Sequence, residues 1–152
     1  MPASPITVDF EHFPVLHTRL PAEIDAEGAR AMYRAMEAGL AERRGAFVSI
    51  VDTRRLAHLP DALTRKVLAE QGTTRMRGFI RDRSLGSVLV VDRPLVRTGL
   101  QAINWLRTSL SEEGVASDMT EAVRWALPRL RAAGLVDARV RAFAARHGVD
   151  GG

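Results

Sequence analysis

Residues 46–51 read Ala46-Phe47-Val48-Ser49-Ile50-Val51, and Asp52 follows. The run has the length of a strand and almost no polar alternation, so neither of its sides is suited to water. Such a strand is covered on both faces, as strands in the middle of a parallel sheet are. A second run of the same kind, Leu85–Val91, comes after a helical stretch, and Asp92-Arg93-Pro94 ends it with a cap followed by proline at an early helical position. Parallel strands cannot be joined by a tight turn, so a helix between two buried strands points to the α/β class.

Upstream of Gly45, Ala29, Met32, Tyr33, Met36 and Leu40 recur at helical spacing, with Arg30, Arg34, Glu37 and Glu42 on the other side and Asp25 as cap. Earlier still, Ile6, Val8 and Phe10 alternate and Val15–Leu20 is a second extended run. Together they predict an antiparallel hairpin, whose second strand begins at Pro14 or lies at an edge. Downstream, Pro60-Asp61 opens a helix in which Leu63, Val67 and Leu68 share a face, with a continuation past Gly72 as far as Arg81. A further helix carries Leu95, Leu100, Ile103, Trp105 and Leu106. Gly114–Ala116 is a short strand, and Asp118 with Glu121 announces a helix containing Val123, Leu127 and Leu130. Pro128 is expected to end or kink that helix near Ala126–Leu127, unless local packing tolerates the proline. Val136–His147, capped by Asp137, is the last helix. The expected architecture is α/β: a mainly parallel sheet of about four to five strands, with an N-terminal antiparallel hairpin and covering helices. Residues 1–147 read as a single domain and 148–152 as a frayed tail.

The chain has 152 residues, 46% hydrophobic and 26% charged, enough for a core without metal or disulfide staples. It has no Cys, which removes disulfides, thiolate metal sites and a cysteine nucleophile together. The sequence pI of 10.8 overstates its basicity. The excess is only +4, from 22 basic against 18 acidic residues, and with one Tyr and Lys66 as the only lysine almost nothing titrates between about pH 8 and the arginines. No stretch reaches the ~18 apolar residues of a membrane span, and Met1–Pro5 lacks the features of a secretory signal. A cytoplasmic location is the expectation.

Phe47-Val-Ser-Ile-Val-Asp-Thr-Arg-Arg-Leu56 before a helix, Ser87-Val-Leu-Val-Val-Asp92 before another, and Asp118-Met-Thr-Glu-Ala-Val-Arg-Trp-Ala126 near the end together resemble the STAS/SEC14-like superfamily, and within it the bacterial SpoIIAA-like proteins. The resemblance covers roughly residues 5–133. It implies a non-catalytic module that binds a protein partner in signalling or, in its SEC14-like branch, a domain that shelters a lipid or other apolar molecule. In the SpoIIAA-like branch a Ser in an Asp-Ser-Ser-Gly turn is phosphorylated. The corresponding stretch here, Leu56-Ala-His-Leu-Pro-Asp-Ala-Leu63, has no hydroxyl, and its nearest neighbours Thr53 and Thr64 lie outside the motif. The phosphoacceptor is therefore not carried over. Asp61 is explained by capping alone, with imitation of a permanently charged site as the sharper alternative.

Open parallel sheets gather ligands at the carboxyl ends of their strands. Those ends supply Asp52, Thr53, Arg54 and Arg55, then Asp92 and Arg93, then Ser117 and Asp118. They form a candidate rim for a protein partner or an anionic group, against the plainer reading of caps and solvated arginines. Trp105 and Trp125 are candidates for lining an apolar pocket, with core packing as the alternative. Met32, Tyr33 and Met36 are either core or a self-association surface for a homodimer.

Other motifs fail on their own terms. His12, His17, His58 and His147 show no metal-binding spacing, so no metal and no cofactor is expected. Ser84-Leu-Gly-Ser87 is not a nucleophile elbow. Gly72-Thr-Thr-Arg-Met-Arg-Gly78 lacks the lysine ending and the preceding strand of a phosphate loop. Two basic stretches, Arg65 to Arg83 and Arg124 to Arg146, could neutralise phosphates, but solvated helix faces explain them too, and the first has only Phe79 among its arginines for base stacking.

Overall fold

A computed structural model describes residues 6–94 and 112–152. The helix expected to carry Leu95 to Leu106, and with it Trp105, lies outside the described residues. The elements are β1 (Thr7–Asp9), β2 (Val15–Arg19), α1 (Ala26–Ala41), β3 (Phe47–Asp52), α2 (Ala62–Arg83), β4 (Ser84–Val90), β5 (Glu113–Ala116), α3 (Met119–Ala132) and α4 (Ala138–Arg146).

β3 sits in the middle of a five-stranded sheet of order β1-β2-β3-β4-β5, the position its apolar run predicts. β1 and β2 are antiparallel, with Val8 opposite Thr18; the pairs β2-β3, β3-β4 and β4-β5 are all parallel. The fold is thus α/β with an antiparallel first pair, as expected. Pro14 immediately precedes β2, whose strand is internal, not an edge.

Strand alternation divides the core into two layers. Leu16, Phe47, Val51 and Leu89 point to one face and pack with Met32, Tyr33, Met36 and Leu40 of α1 and Val67, Leu68 and Met76 of α2. Val15, Val48, Ile50, Val88 and Val90 point to the other and meet Ala122, Val123, Leu127 and Leu130 of α3 and Val140, Phe143 and Ala144 of α4. Met32, Tyr33 and Met36 are therefore core residues, not a self-association surface.

The helices start where the sequence places their caps. Oδ1 of Asp25, Asp61, Asp118 and Asp137 accepts a hydrogen bond from the N–H three residues on, at 2.7, 2.8, 2.8 and 3.0 Å. α2 runs unbroken through Gly72 and Gly78 to Arg83, so the loop-like stretch is helical, and Gly72 faces the Tyr33 hydroxyl. α3 does not end near Ala126–Leu127 but continues through Pro128 to Ala132, the case in which packing tolerates the proline. Pro128 and Arg124 are both exposed. Water can thus reach the Arg124 carbonyl that loses its helical donor, while buried Leu127 and Leu130 hold the turn against the sheet. The tail folds back instead of fraying: Val149 packs on the second core and Arg131 Nη2 donates to the Gly151 carbonyl at 3.3 Å.

No helix among the described residues is long and apolar enough to cross a membrane.

Candidate functional site

Parallel pairing brings the carboxyl ends of β2 to β5 to one edge. Arg19 is level with Asp52, Asp52 with Val90, and Val90 with Ala116. A further rung of backbone bonds closes this edge: Leu20 N–H to the Asp52 carbonyl at 3.0 Å, Thr53 N–H to that of Val90 at 2.9 Å, and Val91 N–H to that of Ala116 at 2.9 Å. On this rigid edge lies an open cleft of about 460 Å³ lined by Arg19, Leu20, Asp52, Arg54, Arg55 and Asp92.

The predicted rim residues do not play equal parts. Arg54 curls back onto Asp52: its Nε and backbone N–H donate to Oδ1 at 2.9 and 3.1 Å, and its Nη2 to Oδ2 at 2.8 Å. Burial alone would raise the Asp52 carboxyl, but the Arg54 hydrogen bonds and charge outweigh it and hold the group below the usual carboxylate range. The same hydrogen bond holds Arg54 above its ordinary value, with help from the charges of Asp92 and Asp118. Arg55 is exposed and has no hydrogen bond or ion pair among the described residues. Arg93 is also exposed, and its contacts among the described residues are long, 3.4 Å to the Ala57 carbonyl and 4.0 Å to Asp92.

Two predicted site residues, Thr53 and Asp118, have structural tasks. Thr53 is fully buried, and its hydroxyl donates to the Val90 carbonyl at 2.8 Å, the same oxygen that takes its N–H. Asp118 caps α3, and the Ser117 N–H donates to Glu121 Oε2 at 2.8 Å. Thr64 is buried as well. Asp61 is exposed, and the Thr64 N–H it accepts holds its carboxyl below the ordinary range. It borders a shallow cleft of about 330 Å³ with Asp25 and His58.

Trp125 lies flat on bare backbone. A Cβ at Gly86 or Gly114 would approach its ring to 2.6 or 2.4 Å, and Gly86 has φ +148, where side chains are rarely accommodated. Above the ring the Arg129 guanidinium stacks 3.6 Å from the centroid and holds Glu112 with two hydrogen bonds of 3.0 and 2.6 Å. Trp125 is thereby a lock between α3 and the β4-β5 surface and lines none of the clefts described. The apolar groove that does exist, about 580 Å³, runs between β1 and α1 along Ile6, Val8, Ala31, Met32 and Ala35.

The sequence reading missed two features. Arg19 joins the rim because β2 lies beside β3, a neighbour relation the hairpin pattern does not reveal. Histidines that look scattered converge: the Phe143 ring lies 5.2 Å from that of His12, 5.6 Å from His17 and 4.9 Å from His147, between centroids. The available signal is register, since His17 shares a strand face with Val15 and His147 follows Phe143 by one helical turn. No group of three or more His, Asp or Glu among the described residues is arranged to hold a metal ion.

Comparison of the chain with protein-family models, with curated proteins and with solved structures finds no match.

Proposed function

We propose that this chain is a non-catalytic regulatory or adaptor domain that binds a protein partner through the carboxyl-end rim of its sheet, with Arg55 reading an acidic side chain of that partner. The unequal commitment of the rim arginines carries the reading. Arg54 is bound to Asp52 and Arg19 lies 3.8 Å from Asp9, whereas Arg55 stands exposed at the cleft with no partner among the described residues. A free guanidinium offers a planar fork for a carboxylate, and the polar cleft around it resembles the rim of a protein interface more than an apolar pocket.

The STAS/SEC14-like resemblance of the sequence belongs to the same proposal. A member of that kind would act here without the phosphoserine switch, since Thr53 and Thr64 are buried and Asp61 serves as a cap. The alternative of that resemblance, carriage of a lipid or apolar small molecule, draws on the groove between β1 and α1. That groove is open, whereas a carrier encloses most of its ligand.

A photo-crosslinking amino acid placed at Arg93 or, as a control, at exposed Arg124, and expressed in the native host, tests the location. Protein adducts from position 93 and none from position 124 are expected; adducts from position 124 alone would remove the rim from the account. A native mass spectrum of the same protein, purified without detergent, would favour the carrier if it showed a bound mass that denaturation releases.

A further inference from the structure

α4 is attached to the rest of the molecule by side chains. Among the described residues no backbone hydrogen bond joins it to the sheet; those at its end return to its own last turn, as Val149 N–H does to the Ala144 carbonyl at 2.9 Å. Its polar ties go to α3, through the Thr120 hydroxyl to the His147 carbonyl at 2.8 Å, while Phe143 seats it against His12 and His17. His17 is 6% exposed, and its buried Nε2 has no hydrogen-bond partner among the described residues.

We propose that this imidazole cluster makes α4 an acid-releasable flap: protonation of His17 unseats Phe143, and Ala138–Arg146 lifts from the sheet while the α1-α2 face stays folded.

Protonation of His17 puts a charged N–H at buried Nε2 with nothing among the described residues to receive it. The groups around it do not compensate. On β1, Asp9 Oδ1 accepts the Glu11 N–H at 2.8 Å and Oδ2 lies 3.8 Å from Arg19, the exposed residue two positions on from His17 in β2. At the end of β3, Asp52 has both oxygens engaged by Arg54. From α4 come His147, whose ring centroid is 6.4 Å from that of His17, and the charge of Arg146, and from the β1-β2 loop comes His12. Burial first, and Arg19 second, lower His17 from 6.5 to about 4 against the opposing pull of Asp52 and Asp9. Burial, Arg146 and Arg54 lower His147 in the same direction.

The sign follows. Once α4 is lifted and the ring is wet, His17 regains its ordinary affinity for a proton, so falling pH favours the open form. Its population rises by up to about tenfold per pH unit between about 6.5 and 4. The device does not depend on what the rim binds.

Amide exchange on the intact protein, expressed as protection factors so that intrinsic rates cancel, tests it between pH 7 and 5. The expected result is a loss of protection of more than tenfold in 138–147, with α1 and α2 held, and a much smaller loss in H17F, the remainder belonging to His147. His17→Asn serves the same purpose if the phenylalanine variant does not fold. Constant α4 protection across this range would overturn the proposal. So would a loss that persists undiminished in the variants, or one that α1 and α2 share equally.

Discussion

Arg54 folds back on Asp52 with two parallel hydrogen bonds, Nε to Oδ1 at 2.9 Å and Nη2 to Oδ2 at 2.8 Å. The carboxylate ends the central strand, so the pair fixes where the chain turns out of the sheet and aims the next residue, Arg55, outward. Removing Arg54 leaves a mostly buried carboxylate without its cation. Arg54→Ala should destabilise the fold by about 1–2 kcal/mol, a charge-assisted bond discounted for the exposure of the arginine. Because the Asp52 pKa is depressed, the pair's contribution is present above the unfolded carboxylate value and is lost as pH falls through the folded one. Urea denaturation should therefore show the gap between wild type and R54A at pH 7 closing below about pH 4.

Thr53→Val removes a hydroxyl whose acceptor, the Val90 carbonyl, keeps its bond from the Thr53 N–H. A loss of about 0.5–1.5 kcal/mol is expected, with Thr53→Ser recovering most of it. Thermal unfolding of the two variants checks this, and equal losses in both would place the effect in packing instead of the hydrogen bond.

Gly114→Ala drives a methyl group to 2.4 Å from Trp125 Nε1, and the ring is pinned from above by Arg129. Overpacking of this kind destabilises by about 1–3 kcal/mol. In a double-mutant cycle with Trp125→Ala the penalty of the alanine at 114 should largely vanish, since the ring it strikes is gone. Additive losses would show that the clash is not with Trp125.

Pro128→Ala restores a backbone donor inside α3 and removes the ring's conflict with the Arg124 carbonyl. Stability should rise by about 1–3 kcal/mol, less than or equal to the full helical penalty of proline. A lower melting temperature would mean that Pro128 packs or rigidifies in a way its exposure hides.

His17 also ties global stability to pH. Its folded pKa of about 4 lies below the unfolded 6.5, so the fold prefers the neutral ring, and stability is full above about pH 6.5 and declines as pH falls toward 4. Between pH 7.5 and 5 the loss from this group is about 2 kcal/mol, and chemical denaturation of wild type against H17F at both values should show it.

Much of the fold was legible because buried strands and caps are local signals. The run at 46–51 placed β3 in the centre, and four aspartates announced helix starts that the structure keeps. Pro128 misled because a proline's effect depends on whether the orphaned carbonyl meets water or core, which tertiary structure decides. The rim was legible as a set of residues but not as a division of labour. Nothing in Asp52-Thr53-Arg54-Arg55 tells which arginine turns back to the carboxylate, or that the threonine points inward. The histidine cluster was illegible for a related reason: its members come from a loop, a strand and a helix 135 residues apart at the extremes, brought together by the docking of α4 on β2.

On the proposed function, Arg55 is the rim's contact for an acidic group of a protein partner. The measurement to make is the affinity of the partner, identified by its crosslink and then purified uncrosslinked, for wild type, R55A and R124A, by calorimetry, with melting temperatures recorded alongside. Binding should be weakened about tenfold in R55A, unchanged in R124A, and stability preserved in both. Wild-type affinity in R55A, with the fold intact, would contradict it.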